Sequence, residues 1–115
     1  MSAAEPRASV STCGPVLIVG TGLLGTSLAL ALRTADVEVQ LSDTSPTSLA
    51  LARDMGAGTP HDKHSPEPQI VVVATPPDVT ADVVVAQLSA HPNAVVTDVA
   101  SVKERVVAEV RARAG

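Results

Sequence analysis

Residues 16–27, VLIVGTGLLGTS, decide how the rest of the chain is read. Val16 to Val19 are apolar without alternation, the pattern of a short strand buried on both faces. Gly20, Gly22 and Gly25 follow at once in G-x-G-x-x-G spacing. Gly20 allows a tight turn out of the strand, Gly22 lets backbone approach a diphosphate, and Gly25 lets helix and strand pack closely. Leu24, Leu28, Ala31 and Leu32 recur at i, i+4, i+7 and i+8, which predicts a helix with those residues inward. Its N-terminus would aim free N–H groups and a partial positive charge at the loop, a place for phosphate.

The next apolar positions, Val37, Val39 and Leu41, predict a second strand over 37–41 that leads to Asp43. A carboxylate at the end of the second strand can accept hydrogen bonds from an adenosine ribose. The alternative is that Asp43 only caps the next helix, but Ser45 and Pro46 already supply cap and first helical position. The strand, glycine loop, helix and acid together predict a nicotinamide dinucleotide site formed by Gly20, Thr21, Gly22, Leu23, Leu24, Gly25 and Asp43. An anion at position 43 repels a 2′-phosphate, and no Lys or Arg follows it before Arg53. NAD is therefore expected rather than NADP.

Composition sets limits on everything else. A chain of 115 residues suits one modest domain and is short for a dinucleotide domain plus a substrate domain. Hydrophobic residues make up 45% with no Phe, Tyr or Trp, which suits a parallel sheet and offers no platform for stacking bases. A net charge of -4 without a basic block argues against nucleic acid or an anionic membrane as partner. The single cysteine, Cys13, excludes an intramolecular disulfide, and neither a signal peptide nor a membrane-spanning run is evident, so a cytoplasmic location is expected. Residues 1–13 are small and polar and read as a flexible tail before a single domain over 14–115.

The first helix is expected to end near Arg33, and strand, helix, strand in quick succession is a βαβ unit with a parallel pair. A helix over Pro46–Met55 would place Leu51, Ala52 and Met55 inward, with Gly56 as its C-terminal stop. Residues 57–69, AGTPHDKHSPEPQ, lose periodicity: a short strand over 57–59 is followed by loop rather than helix. His61 and His64 read as solvated loop residues and His91 as a turn residue, so no metal site is expected.

Ile70 to Ala74 form the next buried strand, closed by Thr75, Pro76 and Pro77. Ligands of open α/β sheets lie beyond the carboxyl ends of the strands, so Thr75 and Pro76 are either a strand terminator or a wall of the cofactor site. A helix from Asp78 would bury Ala81, Val84, Val85 and Leu88, and a strand follows over 94–97. Ser101 and Glu104 form S-x-x-E, a capping box for a last helix carrying Val102, Val106 and Val110. Ser101 also emerges at the carboxyl rim, within reach of substrate or nicotinamide. Lys103, in a first helical turn, opposes the dipole as an anionic ligand nearby would allow. The fold expected is α/β, a doubly wound, Rossmann-type parallel sheet of about five strands in the order 3-2-1-4-5.

VLIVGTGLLGTSLALAL, Asp43, IVVVATPP and TDVASVK, in that order, resemble the N-terminal domain of the prephenate and arogenate dehydrogenases over about residues 15–112. The resemblance implies NAD-dependent oxidative decarboxylation of prephenate to 4-hydroxyphenylpyruvate in tyrosine biosynthesis. It makes Ser101 the active-site serine that orients substrate and nicotinamide. The family's catalytic base is a histidine downstream of the SVK motif, a position His91 does not match. Its helical C-terminal domain, with substrate arginines and the dimer interface, has no counterpart before Gly115. The expectation is a portion that holds cofactor but is inactive alone. A free-standing dinucleotide-binding module and a domain of another 6-phosphogluconate-like dehydrogenase are the alternatives.

Overall fold

A computed structural model of the chain describes residues 14–101, 108 and 111–113. The expected tail over 1–13 lies outside them, as do Lys103, Glu104 and the three valines of the last helix. Five parallel strands form one sheet in the order β3-β2-β1-β4-β5. They are β1 Val16–Val19, β2 Val39–Ser42, β3 Thr59–Pro60, β4 Ile70–Val73 and β5 Val95–Asp98. Helices α1 Leu23–Thr34, α2 Pro46–Asp54 and α3 Pro77–Ala90 connect them. Among the described residues no helix is long and apolar enough to cross a membrane.

β1 lies at the centre, in register with β2 on one side (Val16 opposite Val39) and β4 on the other (Val16 opposite Ile70). A strand with neighbours on both edges and helices on both faces must be apolar throughout, which explains the unbroken VLIV and IVVV runs. Side chains alternate between two cores. Val16, Ile18, Val39, Leu41 and Val72 meet Ala29 and Ala52 on one face. On the other, Leu17, Val19, Val71 and Val73 pack against Val83 and Val84 of α3.

The second face is incomplete, because no helix links β3 to β4. Gln40, opposite Leu17 in register and 1% exposed, occupies the bare position on β2. Its Nε2 donates to the Pro66 carbonyl at 2.7 Å and its Oε1 lies 2.8 Å from His61 Nδ1. The His61 ring in turn meets His91 edge-on, with centroids 5.5 Å apart. His91 is buried and its Nδ1 lies 3.2 Å from Glu67 Oε1. The expectation of two bland histidines is thus corrected: His61 and His91 form a polar cover over the sheet, while His64 is exposed as expected.

Helical faces also differ from the periodicity. Gly25 must face Gly20, which turns α1 so that Gly25, Thr26 and Ala29 are buried, while Leu24 stays 55% exposed and Ala31 is exposed. On α2 only Ala52 is buried; Leu51 and Met55 remain outside because one residue per turn suffices to cover the narrow sheet edge. On α3, Val83 and Val84 pack inward, whereas Ala81, Val85 and Leu88 are exposed. Ser45 and Gly56 behave as read. The Ser45 hydroxyl accepts from the Ser48 amide at 3.2 Å with Pro46 opening α2, and Gly56 adopts φ +84° just past its end.

Candidate dinucleotide site

The glycine loop joins β1 to α1 at the carboxyl edge of the sheet. Gly20 has φ +105°, a conformation L side chains rarely adopt, and a Cβ there would lie 2.6 Å from the Ala74 carbonyl oxygen. A Cβ on Gly25 would collide with the Gly20 carbonyl oxygen and approach Ala74 Cβ to 3.1 Å. Both glycines are therefore demanded by packing.

Gly22 is different. It is the N-cap of α1 in extended conformation, φ -76°, and a Cβ there would have no neighbour within 4 Å. Among the described residues no steric contact asks for glycine at this position. The first turn of α1 has no side-chain cap and no acidic residue. Its N–H groups and positive dipole end face open space, the arrangement that accepts a diphosphate. The residues present fit a dinucleotide: a side chain at position 22 would fill the approach that the bare backbone leaves open.

Asp43 stands just beyond β2, beside this loop. One oxygen, Oδ2, accepts from the Thr21 amide at 2.6 Å and from the Thr21 hydroxyl at 2.7 Å. The other, Oδ1, accepts from the Ser45 amide at 2.7 Å. Burial opposes the charge on Asp43. Hydrogen bonds from the Ser45 amide, the Thr21 amide and hydroxyl, and the Thr44 amide outweigh it and hold the carboxyl below its ordinary value. Thr21 itself is 5% exposed, and its carbonyl accepts from the Thr26 hydroxyl at 3.0 Å. Asp43 is thus both a loop clamp and, through Ser45, a brace for the turn into α2.

An apolar groove of about 940 Å³ opens beside the loop, with Leu24, Leu28, Thr75, Val84 and Asp98 among its lining residues. Thr75 reaches it from the end of β4, its hydroxyl 3.2 Å from that of Thr80. Pro76 is exposed and serves as the N-cap of α3, its carbonyl accepting from Thr80 Oγ1 at 3.0 Å. Gly20, Thr21, Gly22, Leu23, Leu24, Gly25, Thr75 and Pro76 therefore share one rim of the sheet, with Asp43 at its β2 side. Leu23, 84% exposed, has only its backbone to offer a phosphate.

Ser101 lies past β5 at the same rim, but its expected capping role is reversed. Helical residues begin at Val99, and Asp98 accepts from the Ser101 amide at 2.8 Å. The hydroxyl and amide of Ser101 hold the Asp98 carboxyl below its ordinary value. Asp98 is the cap because β5 spans Val95–Asp98, one residue further along than the expected 94–97, and delivers it to the helix start. A carboxylate three residues before Ser101 was the available signal, obscured by the S-x-x-E match. Among the described residues no group of three or more His, Cys, Asp or Glu is arranged to hold a metal.

Residues 28–115 match the family described as prephenate dehydrogenase, nucleotide-binding domain. The chain belongs to that family. A probable prephenate dehydrogenase of Streptomyces niveus, NovF, is 43% identical over 88 residues, covering 76% of this chain and 24% of the relative. The crystal structure of prephenate dehydrogenase from A. aeolicus in complex with hydroxyphenyl propionate and NAD+ superposes with a TM-score of 0.62 at 28% identity. That match covers 72% of this chain and 32% of the other. The chain thus spans about a quarter to a third of the length of these prephenate dehydrogenases, and its sheet order is the one expected for their nucleotide-binding domain.

Proposed function

We propose that this chain is the NAD-binding portion of a cytoplasmic prephenate dehydrogenase, acting in tyrosine biosynthesis by oxidative decarboxylation of prephenate to 4-hydroxyphenylpyruvate. The observation that carries the reading is the unobstructed backbone at Gly22, which leaves the start of α1 open to a diphosphate and meets no described residue that would require glycine. Bound NAD supplies the hydride acceptor. The amides of Leu23 and Leu24 at the start of α1 face the diphosphate, and the Asp43 carboxylate takes the adenosine ribose. Thr75 and Pro76 border the cofactor, and the Ser101 hydroxyl orients substrate and nicotinamide. The apolar groove beside these residues keeps water from the ring.

By the family resemblance, the catalytic base of the complete enzyme is a histidine downstream of the SVK motif, and the substrate arginines and dimer interface belong to its helical domain. Over residues 14–115 the expected activity is therefore cofactor binding without turnover. Isothermal titration tests this directly: NAD gives saturable heat, NADP gives little because Asp43 repels its 2′-phosphate, and prephenate gives none. Equal affinity for NAD and NADP would remove Asp43 from the ribose, and heat from prephenate alone would place substrate contacts within this portion.

A further inference from the structure

Thr80 stands in the first turn of α3, and its hydroxyl has three oxygens within reach. The Pro76 carbonyl lies at 3.0 Å, the Thr75 carbonyl at 3.2 Å and the Thr75 hydroxyl at 3.2 Å. A hydroxyl has one proton to give. Carbonyl oxygens have none, so the two carbonyl contacts are hydrogen bonds only with Thr80 as donor, the back-bond of a helical threonine. The Val79 amide also donates to the Pro76 carbonyl, at 3.0 Å, and leaves this assignment unchanged because it too brings a proton to an acceptor. With the Thr80 proton committed to the backbone, the contact between the two hydroxyls is filled by the proton of Thr75. The Thr75 oxygen is left as an acceptor toward the groove it lines. The remaining polar side chain among the described lining residues is Asp98, a carboxylate at neutral pH and also without a proton to give.

We infer that Thr80 is a positioning residue that fixes Thr75 as a hydrogen-bond acceptor, so that the groove takes the N–H side of the nicotinamide carboxamide and disfavours a ring substituent without a donor. The inference rests on the NAD-binding reading above and adds Thr80, which that reading does not use. With adenosine at β2 and diphosphate at the start of α1, the nicotinamide half continues on the other side of β1, over β4 and β5. Its ring is flat with one hydrogen-bonding substituent, and Leu24, Leu28 and Val84 give it an apolar wall. The carboxamide is the group a fixed acceptor can sort. Its N–H pairs with the Thr75 oxygen, whereas its carbonyl in the same place would set oxygen against oxygen.

The test uses calorimetric titration of the full chain with NAD, with its 3-acetylpyridine analogue and with ADP. The analogue is neutral at the substituent and keeps the carbonyl, but a methyl replaces the amide nitrogen. The unaltered chain should bind NAD about three- to tenfold more tightly than the analogue. Thr80→Val releases the Thr75 proton, which can then be donated to the carbonyl of either compound, so the two should bind within about twofold of each other. Thr80→Ser keeps the donor and the preference. Thr75→Val removes the acceptor and also levels the two, with NAD weakened about three- to tenfold, and it carries the test should Thr80→Val fail to fold. ADP stops short of the nicotinamide half and should bind every chain within about twofold. An unaltered chain without the preference, or a folded Thr80→Val or Thr75→Val chain that keeps it, would overturn the inference. So would a change at Thr80 that weakens ADP as much as NAD, the mark of a merely structural role. Failure of NAD to bind the unaltered chain would instead defeat the underlying reading, so the two failures are separable.

Discussion

Thr21 donates both its amide and its hydroxyl to the same oxygen of Asp43, at 2.6 and 2.7 Å. Two residues 22 apart in sequence are thereby joined, and the glycine loop is tied to the end of β2 before any ligand arrives. With the Ser45 amide on its other oxygen, Asp43 links three segments: the loop, β2 and the start of α2.

Asp43→Asn should destabilise the chain by about 1–2 kcal/mol at neutral pH, because a charged acceptor is replaced by one amide oxygen and an unwanted donor. The folded carboxyl sits below its ordinary value of 3.8, so its contribution to stability is fully present above that pH and is lost as pH falls through the depressed folded value. Denaturant melts across pH should show a constant gap between the two chains down to about pH 5, closing below about pH 4. A gap that widens on acidification would contradict the hydrogen-bonded carboxylate.

Gly25→Ala should destabilise the fold by about 2 kcal/mol or more, since the new methyl meets the Gly20 carbonyl and Ala74. Gly20→Ala should act in the same direction through its positive φ and the Ala74 carbonyl. Thermal or urea unfolding measures both. Wild-type stability in either variant would mean that loop and helix do not meet as described.

Gln40→Leu should cost about 1–3 kcal/mol despite the gain in apolarity, because the Pro66 carbonyl and His61 ring lose their buried partner. The same change should speed proteolytic cleavage within 61–69, the segment that Gln40 fastens. Limited proteolysis with mass spectrometry distinguishes this local opening from global unfolding.

β5 forms the edge of the described sheet, and Val95 on it is 65% exposed. An apolar edge strand invites pairing with another chain. Sedimentation should show concentration-dependent association of residues 1–115, and Val95→Lys should reduce it. A monomer over the whole range, with cooperative unfolding, would show this edge to be adequately protected.

The sheet was legible because its residues face the same requirement along the whole strand: VLIV and IVVV are buried on both sides, so composition alone marks them. The glycines were legible for a similar reason, each answering a local steric demand. The helical faces were not, because periodicity names an apolar stripe without knowing that Gly25 fixes the rotation of α1 and brings Ala29 inward in place of Ala31. Gln40, His61, Glu67 and His91 were equally hidden: their contacts span distant segments, and polar residues in a proline-rich loop look solvated until the missing helix leaves a face to cover. Thr21–Asp43 was half visible, with the acid read for its ligand and not for its neighbour. Asp98 was overlooked because S-x-x-E offered a ready cap one turn too late.

Gly22→Val tests the central claim most directly. A Cβ at Gly22 has no neighbour within 4 Å, so a side chain there has open space and the loss of stability should be no more than the about 1 kcal/mol of a poorer N-cap, leaving the chain folded. Calorimetric titration with NAD should give a saturable isotherm for the wild-type chain and none for this variant at millimolar cofactor, since the side chain occupies the approach to the α1 amides. A stable Gly22→Val chain that binds NAD as well as wild type would show that the diphosphate does not lie against this loop.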